Sequence, residues 1–359
     1  MRVVLAPDCF TGTLTAPEAA EAMAEGWRRV RPADDLVPLP MSDGGPGFLD
    51  VLPGTLVTQL VEDPLARPTL ASYRLDGTTA WVESAQACGL HLLDPAERDP
   101  AVTTTYGVGQ LVRAAAEAGA TRVVVGLGGS ATNDGGAGFL AALGVRREGA
   151  DGERLAPGCL PLSSAVRLVG QPLQVELVAA TDVDNPLLGE HGATRVFAAQ
   201  KGGRDLDALE AAVAQWAGLV EDHLRPARDL PGAGAAGGLG FAILAAGGTR
   251  VSGVALAAEA VGLGAALVGA DLVLTGEGSF DWQSLRGKVV AGVAGLAAEE
   301  GVPCVVVAGR TSVGRREAAA AGVDSSHSLV DEVGPDLALG EPGEAVATVC
   351  SRVARAWNM

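Results

Sequence analysis

The last third of the chain alternates short apolar runs with alanine-rich stretches, and few folds accept that rhythm. ADLVLTG (270–276) reads as a strand, SLRGKVVAGVAGLAAEEG (284–301) as a helix, PCVVVAG (303–309) as a strand and RREAAAAG (315–322) as a helix. Runs that are apolar throughout, rather than at every second residue, need cover on both faces. A parallel sheet with helices on each side supplies it. The N-terminus has the same texture. RVVLA (2–6) is a strand candidate, and TAPE (15–18) opens a helix. There Thr15 can cap the first turn, Glu18 can complete a capping box and Pro17 fits the first turn. That helix should run to about Val30, ahead of Pro32, and DLVPLP (35–40) is a second strand candidate. The reading is a doubly wound α/β protein.

The middle is more mixed. Residues 51–82 suggest irregular short strands interrupted by Pro53, Pro64 and Pro68. TRVVVGLGG (121–129) is a strand running into a glycine loop, after which ATNDGGAGFLAALG starts a helix. VELVAATD (175–182) is another strand, 205–223 an amphipathic helix, and 231–248 a glycine-rich helix entry. The two ends share one texture and the middle has another. The economical arrangement is a discontinuous domain, 1–65 with 270–359, around an inserted mixed α/β domain, 66–269.

Charge narrows the function classes. Acidic residues number 43 against 26 basic ones, for a net charge of -17. Such a field disfavours nucleic acid and anionic membrane, so neither is expected as a partner. An anionic small molecule would need local positive groups. The basic residues are 24 arginines and two lysines, Lys201 and Lys288, both in glycine-containing runs. A compact ammonium there suits phosphate or carboxylate where a planar guanidinium would not. Five cysteines stand at 9, 88, 159, 304 and 350 without a CxxC pair, which fits a reducing compartment. An Asp at position 8 leaves no room for a secretory h-region, so the expected location is cytoplasmic. The most apolar stretch, 251–275, carries Glu259 and Asp271 and reads as buried rather than spanning.

Six polar loops stand out: PDCFTGT (7–13), MSDGG (41–45), GLGGSATNDGG (126–136), TDVDNP (181–186), PGAGAAGGLG (231–240) and TGEGSFDWQS (275–284). Strand ends of this kind bind ligands in α/β proteins. None is a P-loop, since GLGGSATNDGG lacks the GK[ST] ending, and the dinucleotide fingerprint is absent. The glycines can bring backbone N–H groups close to an anion, or can simply serve tight turns. Asp8, Asp43, Asp134, Asp182, Asp184, Glu277 and Asp281 all lie in these loops. Phosphoryl transfer needs a magnesium ion held by carboxylates, cationic clamps and a group that orients the accepting hydroxyl. Several acids and two lysines meet that need. His91, His191, His223 and His327 follow no metal-ligand spacing.

The loops resemble those of the type-1 glycerate kinase family across most of the chain. APDCFTGTL (6–14), PMSDGGPG (40–47), TTTYGVGQL (103–111), GGSATNDGGAG (128–138), TDVDNPLLGEHGATRVFAAQKGG (181–203), PGAGAAGGLG (231–240) and TGEGSFDWQSLRGK (275–288) follow the family's motifs in order. The resemblance implies ATP- and Mg²⁺-dependent phosphorylation of D-glycerate, usually to 2-phosphoglycerate. It also implies a discontinuous flavodoxin-like domain with an inserted mixed α/β domain, in a monomer or homodimer. A kinase for a related hydroxy acid and a turnover-deficient ligand-binding protein are the alternatives. The expected roles are Asp182 or Asp43 as the hydroxyl-orienting base, with Lys201 and Lys288 on phosphate or the glycerate carboxylate. Asp134, Glu277 and Asp281 are expected as magnesium or metal-water contacts. Gly128, Gly129, Ser130, Thr132 and Asn133, with Gly234, Gly237 and Gly238, are expected to cradle the nucleotide phosphates or the substrate.

Three positions depart from the family pattern: Thr11 stands for Lys, Pro46 for Glu and Gln110 for Glu. If the first two record the joint loss of an ion pair, Thr11→Lys alone and Pro46→Glu alone each harm the protein. The double variant is then nearly neutral, with a coupling of roughly 1–3 kcal/mol in melting and kinetics. Additive effects would refute the pairing; if the family's Lys instead grips substrate, Thr11→Lys alone should raise turnover on glycerate, independently of Pro46→Glu.

Overall fold

The computed structural model describes residues 1–10, 12–285 and 287–357, so Thr11 lies outside the described residues. The strands in chain order are β1 (Arg2–Leu5), β2 (Asp35–Pro38), β3 (Thr55–Glu62), β4 (Pro68–Asp76), β5 (Thr79–Glu83), β6 (Arg122–Gly126), β7 (Arg146–Glu148), β8 (Arg167–Val169), β9 (Glu176–Ala180), β10 (Thr249–Val251), β11 (Leu272–Phe280), β12 (Cys304–Thr311) and β13 (Ser325–Ser328). The chain forms an α/β fold of two compact units. One comprises residues 1–43, 50–52 and 252–359, the other 44–49 and 53–251.

The first unit is built on a five-stranded sheet of order β13-β12-β11-β1-β2, with every pair parallel. Alternate residues feed opposite layers, as the strand period of two requires. Val3 and Leu5 join Leu272 and Leu274 under the helices Ala16–Arg28 and Pro342–Ala356. Val4 and Ala6 join Val273 under the helices Gly253–Val261 and Val289–Glu299. The capping box read at Thr15–Glu18 is formed, with the Glu18 carboxylate accepting from the Thr15 N–H at 2.8 Å. Strand β11 runs to Phe280, four residues past the expected 276, because Ser279 and Phe280 stay in register with Arg310 and Thr311.

The second unit holds a six-stranded mixed sheet, β10-β9-β6-β5-β4-β3, and the small antiparallel pair β7-β8. Four neighbours run parallel, and β4 and β3 close the edge antiparallel. Pro68 does not interrupt this region. It is the first residue of β4, opposite Glu62, where a strand tolerates proline. The full-length pairing of β3 with β4 places 53–65 in the second unit, not with the N-terminal segment. Likewise Val254, Ala257 and Leu263 pack in the first unit's core, so 252–269 belongs there.

Packing in the first unit hinges on a glycine. A Cβ on Gly26 would lie 2.1 Å from the Ala347 carbonyl oxygen. The helices Ala16–Arg28 and Pro342–Ala356 can touch there only because no side chain intervenes. Gly26→Ala should therefore cost about 1–3 kcal/mol in chemical denaturation, despite alanine's better helix propensity. An unchanged denaturation midpoint would refute this.

Candidate active site

In a doubly wound sheet, ligands bind beyond the carboxyl ends of the strands, where the strand order reverses. In the first unit that point lies between β1 and β11. Asp8 follows β1, Asp43 follows β2, and Glu277 stands within β11. These carboxylates repel one another while the fold removes water from them. Burial, then the charge of Asp43, pushes Asp8 up to about 7, against help from the Cys9 N–H, which donates to Asp8 Oδ1 at 2.7 Å. Burial likewise lifts Glu277 to about 7, and the Ser284 hydroxyl and Lys288 pull it part of the way back. Glu277 Oε1 is enclosed without a hydrogen-bond donor. Asp281 folds into a local turn, its Oδ1 accepting from the Gln283 N–H at 2.8 Å. Lys288 is half-buried and is the residue immediately before the helix Val289–Glu299.

Among the described residues, no three acidic, His or Cys side chains cage a metal ion. Magnesium does not require a cage. It commonly takes one or two carboxylates and fills its shell with water and phosphate. The donorless oxygen of Glu277, beside Asp281 and Asp43, offers hard oxygen ligands of that kind.

The second unit presents a buried cation. Lys201, 4 % exposed, ends a short turn and points at the glycine loop. Its Nζ donates to Ser130 Oγ at 2.9 Å and to the Thr132 carbonyl at 2.8 Å. Burial lowers it to about 8, so it remains mostly protonated at neutral pH. No ion-pair partner accompanies it among the described residues; both of its acceptors are neutral oxygens. Asp182, after β9, is half-buried in this unit.

Asp134 also belongs to the second unit, whereas Glu277 and Asp281 belong to the first. Its carboxylate is wholly enclosed. It accepts from the Thr105 N–H (2.9 Å), Thr105 Oγ (3.0 Å), the Gly136 N–H (3.1 Å) and the Gly138 N–H (3.0 Å), with Thr104 Oγ1 at 3.5 Å. A carboxylate has about four lone-pair sites, and these donors occupy them. The geometry therefore makes Asp134 an anchor for the loop rather than an open metal ligand. Asn133 is also turned inward, its Nδ2 donating to Thr194 Oγ1 at 3.0 Å.

The glycines serve close packing. A Cβ on Gly128 would lie 2.6 Å from Gly45 Cα, and one on Gly129 would lie 2.7 Å from the Pro46 ring. Cβ atoms on Gly237 and Gly238 would strike Thr132 O at 1.9 Å and Gly135 Cα at 2.6 Å, and one on Gly234 would meet Pro186 O at 2.4 Å. The loops 126–136 and 231–240 are thus pressed together backbone to backbone. Ser130 and Thr132 are the members of the expected cradle that meet a cation. Sequence reasoning did not single out Thr105, although it lies in the TTTYG run, because a threonine gives no sign of being aimed at a buried acid. Gln110 keeps the acceptor expected of a Glu, taking the Glu62 N–H at 2.7 Å.

Asp134→Asn should cost at least about 2 kcal/mol of stability, because an amide NH₂ would face donors. Melting at fixed magnesium measures it. An unchanged melting temperature with altered magnesium dependence would restore the metal role instead.

The profile of the Glycerate kinase family matches residues 3–358. A glycerate kinase of Bacillus subtilis is 40 % identical, over 99 % of this chain and 96 % of its own length. The glycerate 2-kinase of Escherichia coli K12 is 36 % identical, over 93 % and 92 %. A crystal structure from Salmonella typhimurium LT2, under the provisional name glycerate kinase 2, superposes with a TM-score of 0.85 at 36 % identity, covering 99 % of this chain and 97 % of that one. With residues 3–358 matched by the family profile and relatives aligned over more than nine-tenths of it, the chain belongs to the glycerate kinase family.

Proposed function

We propose that the chain transfers the γ-phosphoryl group of ATP to a hydroxyl of D-glycerate, giving 2-phosphoglycerate. One observation from the site carries the reading furthest. Lys201 is a buried ammonium whose hydrogen-bond partners are neutral oxygens, and the charge of Asp134, already saturated by its own donors, offsets its desolvation only in part. A phosphate or carboxylate of the substrates supplies the rest. The first unit's strand order, numbered within that unit, is 2-1-3-4-5. That supports reading it as flavodoxin-like, with ligand at the β1/β11 reversal.

In the transfer, the glycerate hydroxyl oxygen bonds to the γ-phosphorus as the bond to the bridging oxygen breaks. ADP departs with that electron pair, and the hydroxyl proton passes to a carboxylate, Asp43 or Asp182. Bound magnesium would neutralise phosphate charge as it shifts toward the leaving group. Glu277, with Asp281, is the side chain that would face it. The charge of Lys288 offsets that of Glu277 in its own unit, and in this reading the ammonium would meet phosphate. Ser130 and the Thr132 carbonyl hold the Lys201 ammonium in one position, which fixes where it can meet charge. Among the described residues, no helix is long and apolar enough to cross a membrane.

The direct test is ADP release with magnesium across a panel of small hydroxy acids, with the position of phosphorylation read by NMR. Glycerate should give the highest kcat/KM, and no release with any acid would reject the reading. Lys288→Met should lower kcat/KM more than about tenfold while leaving the melting temperature in place. An unchanged rate would remove Lys288 from the site.

Linkage gives a second test. Asp8 and Glu277 are raised on folding, so the folded state binds extra protons between the ordinary carboxylate range and about 7. Their contribution to stability is whole below that range and is lost as pH climbs through about 7. In magnesium-free buffer, melting should fall over that window, and Asp8→Asn should flatten the fall. An identical pH profile in the variant would show that Asp8 does not titrate there.

A further inference from the structure

A cavity of about 560 Å³ opens in the second unit, in the size range of small-molecule sites. It is bordered by Thr104 and Gly138 on one side and by the turn that follows β7 on the other. Three arginines line it, Arg146, Arg147 and Arg154, with Glu62 and Tyr106. On a chain of net charge -17 this is a local reversal of sign: three guanidinium groups face one carboxylate.

The arginines are not spent on ion pairs. Elsewhere Arg29, Arg67, Arg195, Arg228 and Arg250 each hold a carboxylate within 2.7 Å. Among the described residues, none of the three in the cavity does. Arg147 is 7 % exposed. Two of its nitrogens lean on the carbonyls of Ala137 (3.5 Å) and Ala156 (2.8 Å), and its Nε–H is buried without an acceptor. Burying a guanidinium in that state costs free energy that the neutral carbonyls and the charge of Asp134 only partly offset. Arg146 and Arg154 are exposed at the rim, where water would serve them equally well on any other surface.

We propose that this cavity is an anion site distinct from the Lys201 ammonium and its contacts, and that it takes a phosphate-bearing small molecule. A single carboxylate needs one guanidinium fork, whereas a phosphate dianion accepts from several at once. The volume leaves room for a body behind the phosphate, against Tyr106, Leu155 and Pro157. The site does not depend on the kinase reading, because its residues belong to neither the acid cluster nor the Lys201 group.

The phosphate can come from a nucleotide or from a three-carbon acid, and titration calorimetry of the full chain without magnesium separates them. The probes are ADP, 2-phosphoglycerate and inorganic phosphate, against wild type, Arg146→Gln/Arg154→Gln and Lys201→Met. The rim arginines are chosen because Arg147→Gln would risk the fold. At least one probe should bind the wild type and Lys201→Met alike, and bind the double arginine variant about tenfold more weakly or worse. Whichever probe shows that pattern identifies the source. Glycerate phosphorylation, measured alongside, should persist in the arginine variant. If every probe binds wild type and the arginine variant equally, or none binds at all, the proposal is overturned. Binding needs no turnover, so a failure of the kinase reading would not decide this one.

Discussion

The second unit is organised around a carboxylate with no freedom left. Asp134 sits among donors from the 104–105 segment and from the first turn of the helix Ala137–Leu143, and each oxygen is occupied. A carboxylate in such a place is stable only while every donor stays where it is. The Asp134 side chain therefore ties two segments 29 residues apart into one rigid piece. On that piece stand Ser130 and Thr132, the two contacts of Lys201. The same fixity lets the glycines of 126–136 and 231–240 meet without side chains between them.

The first unit treats the same chemistry in the opposite way. Asp8 and Glu277 are also taken out of water, but they are given few donors and set near other acids. One carboxylate is saturated with donors, and two are pushed toward protonation by burial and by the acids around them. The difference lies in the backbone around them. Asp134 lies before two residues in the left-handed conformation, Gly136 among them, which turn N–H groups back toward it. Glu277 lies on a strand, where the N–H groups are committed to the sheet ladder.

Much of this was legible in the residues. The capping box at Thr15, the parallel alternation of the last third and the helix at 206–223 follow from local patterns that no distant contact overrides. The meander of β3, β4 and β5 was harder to read, because Pro68 suggests a break and in fact begins a strand. The loops that carry the candidate residues were visible as motifs, but their inner logic was not. An Asp beside two glycines can be a metal ligand or an anchor, and only its donors separate the two. Likewise Gly237 reads as an anion cradle until its neighbour proves to be the Thr132 carbonyl. Arg147 gave no signal at all, since one arginine among many looks like surface until its burial is known.

Strand β11 carries a consequence for how this gene can change. The segment TGEGSF has the composition of a loop, and loops absorb insertions and deletions. Here it is a ladder: Gly276 faces Val307, Glu277 faces Ala308, and Ser279 and Phe280 face Arg310 and Thr311. Side chains alternate between faces, so one residue gained or lost before Glu277 would turn its carboxylate to the far side of the sheet. The acid's reach is thus written in the count of residues as much as in their identity. Point substitutions around it can be explored one at a time, while any change of length removes the acid from its place in a single step.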